Sequence, residues 1–248
     1  MLLLVVCLKF IFEPSMKKKK IVVFTGAGMS AESGIKTFRD TNGLWEEYKI
    51  EDVATFDAWQ RNMPLVLDFY NQRRKQVLEA KPNEGHLLVA QLQKKYDVQV
   101  ITQNIDDLHE RAGSKKVLHL HGEIIKSRST DHSNLIYPIK GSEIKVGDVC
   151  ENGSQLRPHI VWFGEAVPEM DTAIALAEDA DIFITIGTSL NVYPAANLIH
   201  VTSSHTKRYL IDPSDFNLDY IKNLIHIKAT AVAGMRILAK KLEELEHY

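Results

Sequence analysis

Three short segments carry residues able to do chemistry. The first is Gly26-Ala27-Gly28-Met29-Ser30-Ala31, a GxGxxA turn that follows the apolar run Ile21–Thr25. Small residues let the backbone approach a pyrophosphate, and a helix N-terminus stabilises its charge. The same turn also serves as a tight strand–helix connection with no ligand. The usual dinucleotide fingerprint adds an acidic residue at the end of a second strand about 20 residues on. Lys36–Trp45 does not read as a strand, so this is a variant dinucleotide site or none. The second segment is Gln103-Asn104-Ile105-Asp106. Asn104 could read a carboxamide or a ribose hydroxyl, and Asp106 could orient a sugar or simply cap a helix over Asp107–Arg111. The third is Val117-Leu118-His119-Leu120-His121-Gly122-Glu123. In a strand, its two histidines share one face. One of them could act as a general base near neutral pH. The pair could also bind metal with Asp106, Asp107 or His109, or be plain buried histidines.

Elements must bring these segments together. Apolar, β-branched runs at Ile21–Phe24, Val98–Thr102, Asp181–Ile186, Arg208–Ile211 and Leu224–Ile227 predict strands. Most are continuous and not alternating, which suits parallel strands buried on both faces. Helical patterns at Asn83–Lys95, Glu169–Glu178 and Met235–Leu245 separate several of them. Alternating strands and helices predict an α/β doubly wound parallel sheet, whose ligands bind at the carboxyl ends of the strands. Residues 41–80 read as helical and aromatic, and 122–160 as irregular and polar. Both belong to a small second lobe over the strand ends.

The 248 residues suit one domain, with 45% apolar and 25% charged residues. A net charge of −2 gives no field that would favour nucleic acid. Two distant cysteines, Cys7 and Cys150, exclude a disulfide framework or four-cysteine zinc site and suit a reducing cytoplasm. The apolar run 1–12 is too short to span a bilayer and lacks the features of a signal peptide. We read 1–16 as an N-terminal extension, with Met16 as the start of translation. An interfacial anchor is the alternative.

Taken in order, the motifs resemble the sirtuin family. Gly26–Ile35, Thr37-Phe38-Arg39-Asp40 and Gly43-Leu44-Trp45 are similar to the sirtuin cofactor loop. Thr102–Asp106 and His119–Glu123 resemble the two catalytic segments. Arg157–Glu165 resembles the substrate strand, and Gly187-Thr188-Ser189-Leu190 with Val192-Tyr193-Pro194 a second cofactor turn. The match covers roughly 17–245. The resemblance implies a single catalytic domain over 17–248. Its Rossmann-like parts are about 17–40, 81–121 and 161–248, and its small lobe about 41–80 and 122–160. It implies NAD as cofactor and acylated protein lysine as partner, with acyl transfer to ADP-ribose, release of nicotinamide, and His121 as base. His119 becomes the structural neighbour. Asn104 and Asp106 would hold the ribose and the carboxamide. Gly26, Ala27, Gly28, Ser30, Ala31 and Thr37 would line the cofactor, with Phe38, Arg39 and Trp45 closing over it. Gln103, Ile105, Gly187, Thr188 and Ser189 would complete that side, and Asp212, Pro213, Ser214 and Ala229 the far end. Val161, Phe163, Gly164, Glu165 and Val192 would pair with substrate backbone.

Two departures qualify the resemblance. Sirtuins commonly hold a structural zinc between two cysteine pairs. Here those regions read Arg128–His132 and Cys150–Ser154 with one cysteine, so no zinc is expected. In Leu65–Glu79, Tyr70 and Arg73 share a helix face. They resemble the Tyr-x-x-Arg signature of sirtuins that accept malonyl- and succinyl-lysine, although solvated arginines on an amphipathic helix would read the same. A monomer without nucleic-acid or membrane partners is expected. An ADP-ribosyltransferase, a non-catalytic NAD sensor and a metal hydrolase are the competing readings.

Overall fold

The computed structural model describes residues 18–36, 48–132, 134–188, 190, 192–215 and 220–244. Six strands form a wholly parallel sheet: β1 Lys20–Thr25, β2 Asp97–Thr102, β3 Val117–His119, β7 Ile182–Ile186, β8 Lys207–Ile211 and β9 Leu224–Ile227. Their order, β3-β2-β1-β7-β8-β9, reverses direction between β1 and β7. This is the doubly wound arrangement with its switch point at β1.

The continuous apolar runs have a simple cause. In β1, Ile21 and Val23 point into one core with Val100, Ile184, Met235 and Leu238. Val22 and Phe24 point into another with Ile101, Phe183, Ala173 and Ala177. Both faces are covered, so neither side of the strand tolerates polar residues. Each such side chain contributes about 1.5–3 kcal/mol on burial.

The described helices are α1 Gly28–Ala31, α2 Ile50–Val53, α3 Phe56–Arg61, α4 Met63–Glu79, α5 Glu84–Leu92, α6 Leu108–Arg111, α7 Met170–Glu178, α8 Leu198–Val201 and α9 Ala231–Glu244. A 3-10 turn at Ala195–Asn197 precedes α8. None is long and apolar enough to cross a membrane. α9 begins four residues earlier than its apolar periodicity indicates, and buries Met235, Leu238 and Leu242 along one stripe.

The second lobe contains α2–α4 and a three-stranded antiparallel sheet in the order β5-β4-β6, from β4 Gly122–Ser129, β5 Ile136–Pro138 and β6 Leu156–Ile160. Thr55 caps α3 by accepting from Ala58 N at 3.0 Å, and Asn62 caps α4 by accepting from Leu65 N at 3.2 Å. Phe69, Tyr70, Trp59, Trp162, Ile124 and Ile160 form its core. The helical expectation for 41–80 holds where the chain is described, from 48 on. The irregular expectation for 122–160 does not. Its strands are short and half-exposed, so they carry no apolar run.

The histidine segment also differs. β3 ends at His119, Leu120–His121 form a turn, and β4 starts at Gly122. Gly122 has φ +79, and a Cβ there would lie 2.0 Å from the His159 carbonyl oxygen. That glycine breaks the strand, so the two histidines do not share a strand face.

Behind the sheet edge, α5 is capped by Asn83, whose Oδ1 accepts from His86 N at 3.3 Å while His86 Nδ1 accepts from Asn83 N at 3.3 Å. Asn83 Nδ2 donates to Met29 O and Ser33 Oγ, tying this cap to the glycine-rich turn. His86 is fully buried edge-on to His109, and burial pushes its pKa down to about 4. The unfolded chain therefore takes up this proton first. Stability is whole above pH 6.5 and falls as pH drops towards 4, by a few kcal/mol, on the order of 3 from this group. His86→Gln, which cannot titrate, should lose correspondingly less stability between pH 7 and pH 4.5. Parallel loss in both proteins, measured by urea unfolding, would sink this account.

Candidate active site

The switch point is built by backbone contact. Gly26 N donates to Ile186 O at 3.0 Å, and Gly28 N to Gly187 O at 2.9 Å. A Cβ on Gly28 would lie 2.7 Å from Gly187 Cα, and one on Gly26 2.8 Å from Gly187 O. These glycines are therefore required first for the packing of the β1 and β7 loops. The resulting ledge is backbone, with Ala27 half-buried and Ala31 exposed beside it. The helix that follows, α1, is a single turn.

The polar cluster meets this ledge. Ser30 Oγ donates to Asp106 Oδ2 at 2.9 Å and lies 3.0 Å from Asn104 Nδ2, which donates to it. Asp106 Oδ1 also accepts from Leu108 N at 3.2 Å, so Asp106 both anchors Ser30 and holds the first backbone N–H of α6, whose N-cap residue is Asp107. Burial raises the Asp106 pKa, and the Ser30 hydroxyl opposes that shift. Gln103 Nε2 donates to Thr188 Oγ1 at 3.2 Å, bridging the β2 and β7 loops. Ile105 O accepts from Ile124 N at 2.8 Å, joining the cluster to β4.

His121 Nδ1 lies 2.9 Å from Gln103 O. A carbonyl only accepts, so Nδ1 carries the hydrogen and Nε2 presents its lone pair. Burial lowers the His121 pKa, opposed by the Gln103 carbonyl. The ring is a neutral base at pH 7. His109 points elsewhere, with Nε2 3.1 Å from Thr25 Oγ1 in the buried core. Among the described residues, no group of three His, Cys, Asp or Glu side chains is placed to hold a metal ion.

Asp212, Pro213 and Ser214 follow β8, and Ala229 follows β9, along the same carboxyl edge. Asp212 Oδ1 accepts from Ser214 N at 2.9 Å. Thr37, Phe38, Arg39, Trp45 and Ser189 lie outside the described residues.

On the lobe side, Tyr70 is buried and its hydroxyl accepts from Trp162 Nε1 at 3.0 Å. Burial pushes its pKa up to about 12, so it stays a phenol. Arg73 is nine-tenths buried. Burial lowers its pKa, while Tyr70 and Asp106 raise it. The adjacent Arg74 points the other way, with Nε donating to Ile124 O at 2.6 Å and Nη1 to Ser142 O at 3.0 Å. Thus Arg73 lies within electrostatic reach of Tyr70 and Asp106, and Arg74 ties α4 to β4.

The Sir2 family model matches residues 26–194, which span the switch point, both histidines and the lobe. The chain belongs to the Sir2 family. A Bacteroides thetaiotaomicron NAD-dependent protein deacylase is 52% identical over 90% of this chain and 98% of its own. A Helicobacter pylori NAD-dependent protein deacylase is 50% identical over 92% and 99%. Among solved structures, a Sir2 homologue bound to NAD superposes with TM-score 0.82 at 37% identity, covering 92% of this chain and 91% of that one.

Among the described residues of the lobe, two turns occupy the regions where zinc ligands would lie. Cys150 Sγ donates to Ser129 Oγ at 3.5 Å, His132 N donates to the same oxygen at 3.2 Å, and Ser154 Oγ donates to Asp131 Oδ2 at 2.7 Å. The two turns meet, but one thiol and a hydroxyl do not fit a tetrahedral zinc.

In the expected substrate segment, part of the backbone is engaged within the protein. Val161 N donates to His121 O, Phe163 N to Ala54 O, and Glu165 N to Trp162 O, at 2.9–3.0 Å. These three N–H groups are already used. The Glu165 carboxylate is held by Arg157 through two bonds of 2.8 Å and by Trp162 N at 2.7 Å. Phe163 and Val192 remain exposed, as does Gly164. The motif reading missed Arg157 as a brace, since only the fold puts it beside Glu165. Arg157 is almost fully buried, and truncating it leaves the Glu165 carboxylate with only the longer 3.3 Å contacts to Arg128 as its ion pair. Arg157→Ala should cost about 3 kcal/mol, with Glu165→Ala adding little in the double variant. Additive losses in denaturant unfolding would refute the coupling.

Proposed function

We propose that this Sir2 protein is an NAD-dependent protein-lysine deacylase acting on acetyl-lysine and on succinyl- or malonyl-lysine. Nicotinamide and O-acyl-ADP-ribose are its products. The observation that carries the reading is His121, pinned at Nδ1 with Nε2 open, beside the Asn104–Asp106–Ser30 cluster. The donor set fits NAD. Amides of Gln103 and Asn104 and hydroxyls of Ser30 and Thr188 can read a carboxamide and ribose hydroxyls, and the glycine ledge admits phosphates without side-chain hindrance. Gly187 and Ala229, with Asp212, Pro213 and Ser214, would hold the remainder along the sheet edge. NAD supplies the ADP-ribose that accepts the acyl group. His121 takes the proton of a ribose hydroxyl at Nε2, and the Gln103 carbonyl steadies the ring as charge develops.

The acyl group would lie beside Tyr70 and Arg73. A distal carboxylate suits both: the guanidinium supplies the opposite charge and the phenol a donor. Substrate backbone would use carbonyls of the 161–164 stretch and the apolar surface of Phe163 and Val192. We place the protein in the cytoplasm as a monomer, since its buried free thiol at Cys150 suits a reducing compartment.

An acyl-peptide panel with and without NAD tests the proposal. Acylated ADP-ribose in solution is expected. ADP-ribose attached to protein would favour the transferase, and binding without turnover the sensor. His121→Ala should lower kcat by roughly 10²–10⁴. The wild-type rate should fall on the acid side, with its midpoint below the free-imidazole value of about 6.5, because the base must be neutral and burial lowers its pKa. Arg73→Met should suppress desuccinylation roughly 10-fold more than deacetylation; equal suppression would remove Arg73 from acyl recognition.

A further inference from the structure

His119 and His121 are two residues apart, yet their surroundings are opposite. His121 meets one acceptor. His119 meets two: Nδ1 lies 3.2 Å from Asn104 O, and Nε2 lies 2.8 Å from Glu110 Oε1. Neither partner is a donor when Glu110 is ionised. A neutral imidazole has one N–H and would leave a lone pair facing an oxygen. Only an imidazolium satisfies both contacts. The His119 side chain is 8% exposed and that of Glu110 39%, so the carboxylate keeps some hydration while the ring is enclosed.

Resting on the deacylase reading, we infer that His119 is a positioning residue that works as an imidazolium, clamped between Glu110 and the Asn104 carbonyl to fix Asn104 for the reaction. The Asn104 peptide is then held on every side. Its N–H donates to Thr102 Oγ1 at 3.0 Å, its carbonyl accepts from His119, and its side chain donates to Ser30. A charge-assisted bond to that carbonyl is stronger than a neutral one.

The charges around His119 come from three elements. Glu110 and the neutral, buried His109 lie on α6. Glu123, paired with Lys126 at 2.5 Å, lies on β4. Asp106 lies in the loop after β2. The carboxylates outweigh the burial that opposes a charged ring, so the His119 pKa is raised while Glu110 is lowered. His121 must lose its proton and His119 must keep its own. Their pKa values lie apart and bracket the active range, with His121 on the acid limb and His119 on the alkaline limb.

The test uses the full chain labelled with 15N-histidine. At pH 7, both His119 nitrogens should carry hydrogens and His121 only Nδ1. A lone pair on either His119 nitrogen overturns the inference, and this readout needs no turnover. It therefore stands apart from any failure of the deacylase assay. In kcat/KM profiles, Glu110→Gln should move the alkaline limb down by about one pH unit and leave the acid limb in place. His119→Gln should abolish the alkaline limb. A uniform loss of rate with an unchanged profile would mark a merely structural residue and overturn the proposal.

Discussion

Backbone hydrogen bonds run across the carboxyl edge of the parallel sheet. Gly26 N donates to Ile186 O, Gln103 N to Thr25 O, Leu120 N to Thr102 O, and Gly187 N to Ile211 O. Each joins the first residue leaving one strand to the last residue of its neighbour. The strand ends are therefore level, and the loops carrying Ser30, Asn104, His121 and Thr188 depart from one line. Parallel pairing provides this register only if both faces are covered. The two cores on either side of β1 are thus as necessary to the site as its polar residues. The glycines enforce the same constraint more locally, because any side chain at Gly26 or Gly28 would separate the β1 and β7 loops.

Beneath that line sits a chain of buried polar groups. Thr25 and Thr102 share a 2.8 Å hydrogen bond, His109 joins Thr25, and His86 packs on His109. A buried polar group without a partner is costly, so these side chains position one another closely. Asn83 carries the connection to Met29 and Ser33 in the glycine-rich turn. The sheet edge, the α5 cap and the glycine-rich turn are consequently linked by hydrogen bonds and by the His86–His109 ring contact. Neutral histidines suit this arrangement, as charging either would place an ion in the core.

The sequence was most legible where burial was complete. The runs around Ile21, Val98, Ile182 and Arg208 mark strands because both their faces are buried. The strands β4–β6 were hidden, since one face meets solvent and the other needs few apolar residues. The three chemistry-bearing segments could be found by type and spacing. Their mutual geometry could not. Strand alternation put His119 and His121 on one face, whereas β3 ends at His119 and the chain turns at Leu120–His121 before Gly122. Glu110 reads as one more acid on a short helix, and only tertiary packing sets it against His119. Glu165 illustrates the converse, because motif position suggests a substrate contact while its carboxylate is occupied by Arg157.

Trp162 links the two halves of the lobe's role. Its backbone N–H donates to Glu165, and the Arg157 guanidinium stacks 3.5 Å from a ring centroid of its indole. The same indole donates to Tyr70 at 3.0 Å. The ion pair that braces the 157–165 segment thereby also orients the phenol beside Arg73. This arrangement offers a physical reason why the lobe keeps its shape with hydrogen bonds where the two turns around Ser129 and Cys150 meet. The Arg157–Glu165–Trp162 assembly adjoins Tyr70. The turns lie at the far end of β4 and β6, where Ser129 pairs with Leu156. The Arg128–Arg157 pair is next to them, so the ion pair of Arg157 with Glu165 starts one residue from these turns and reaches Tyr70 through Trp162.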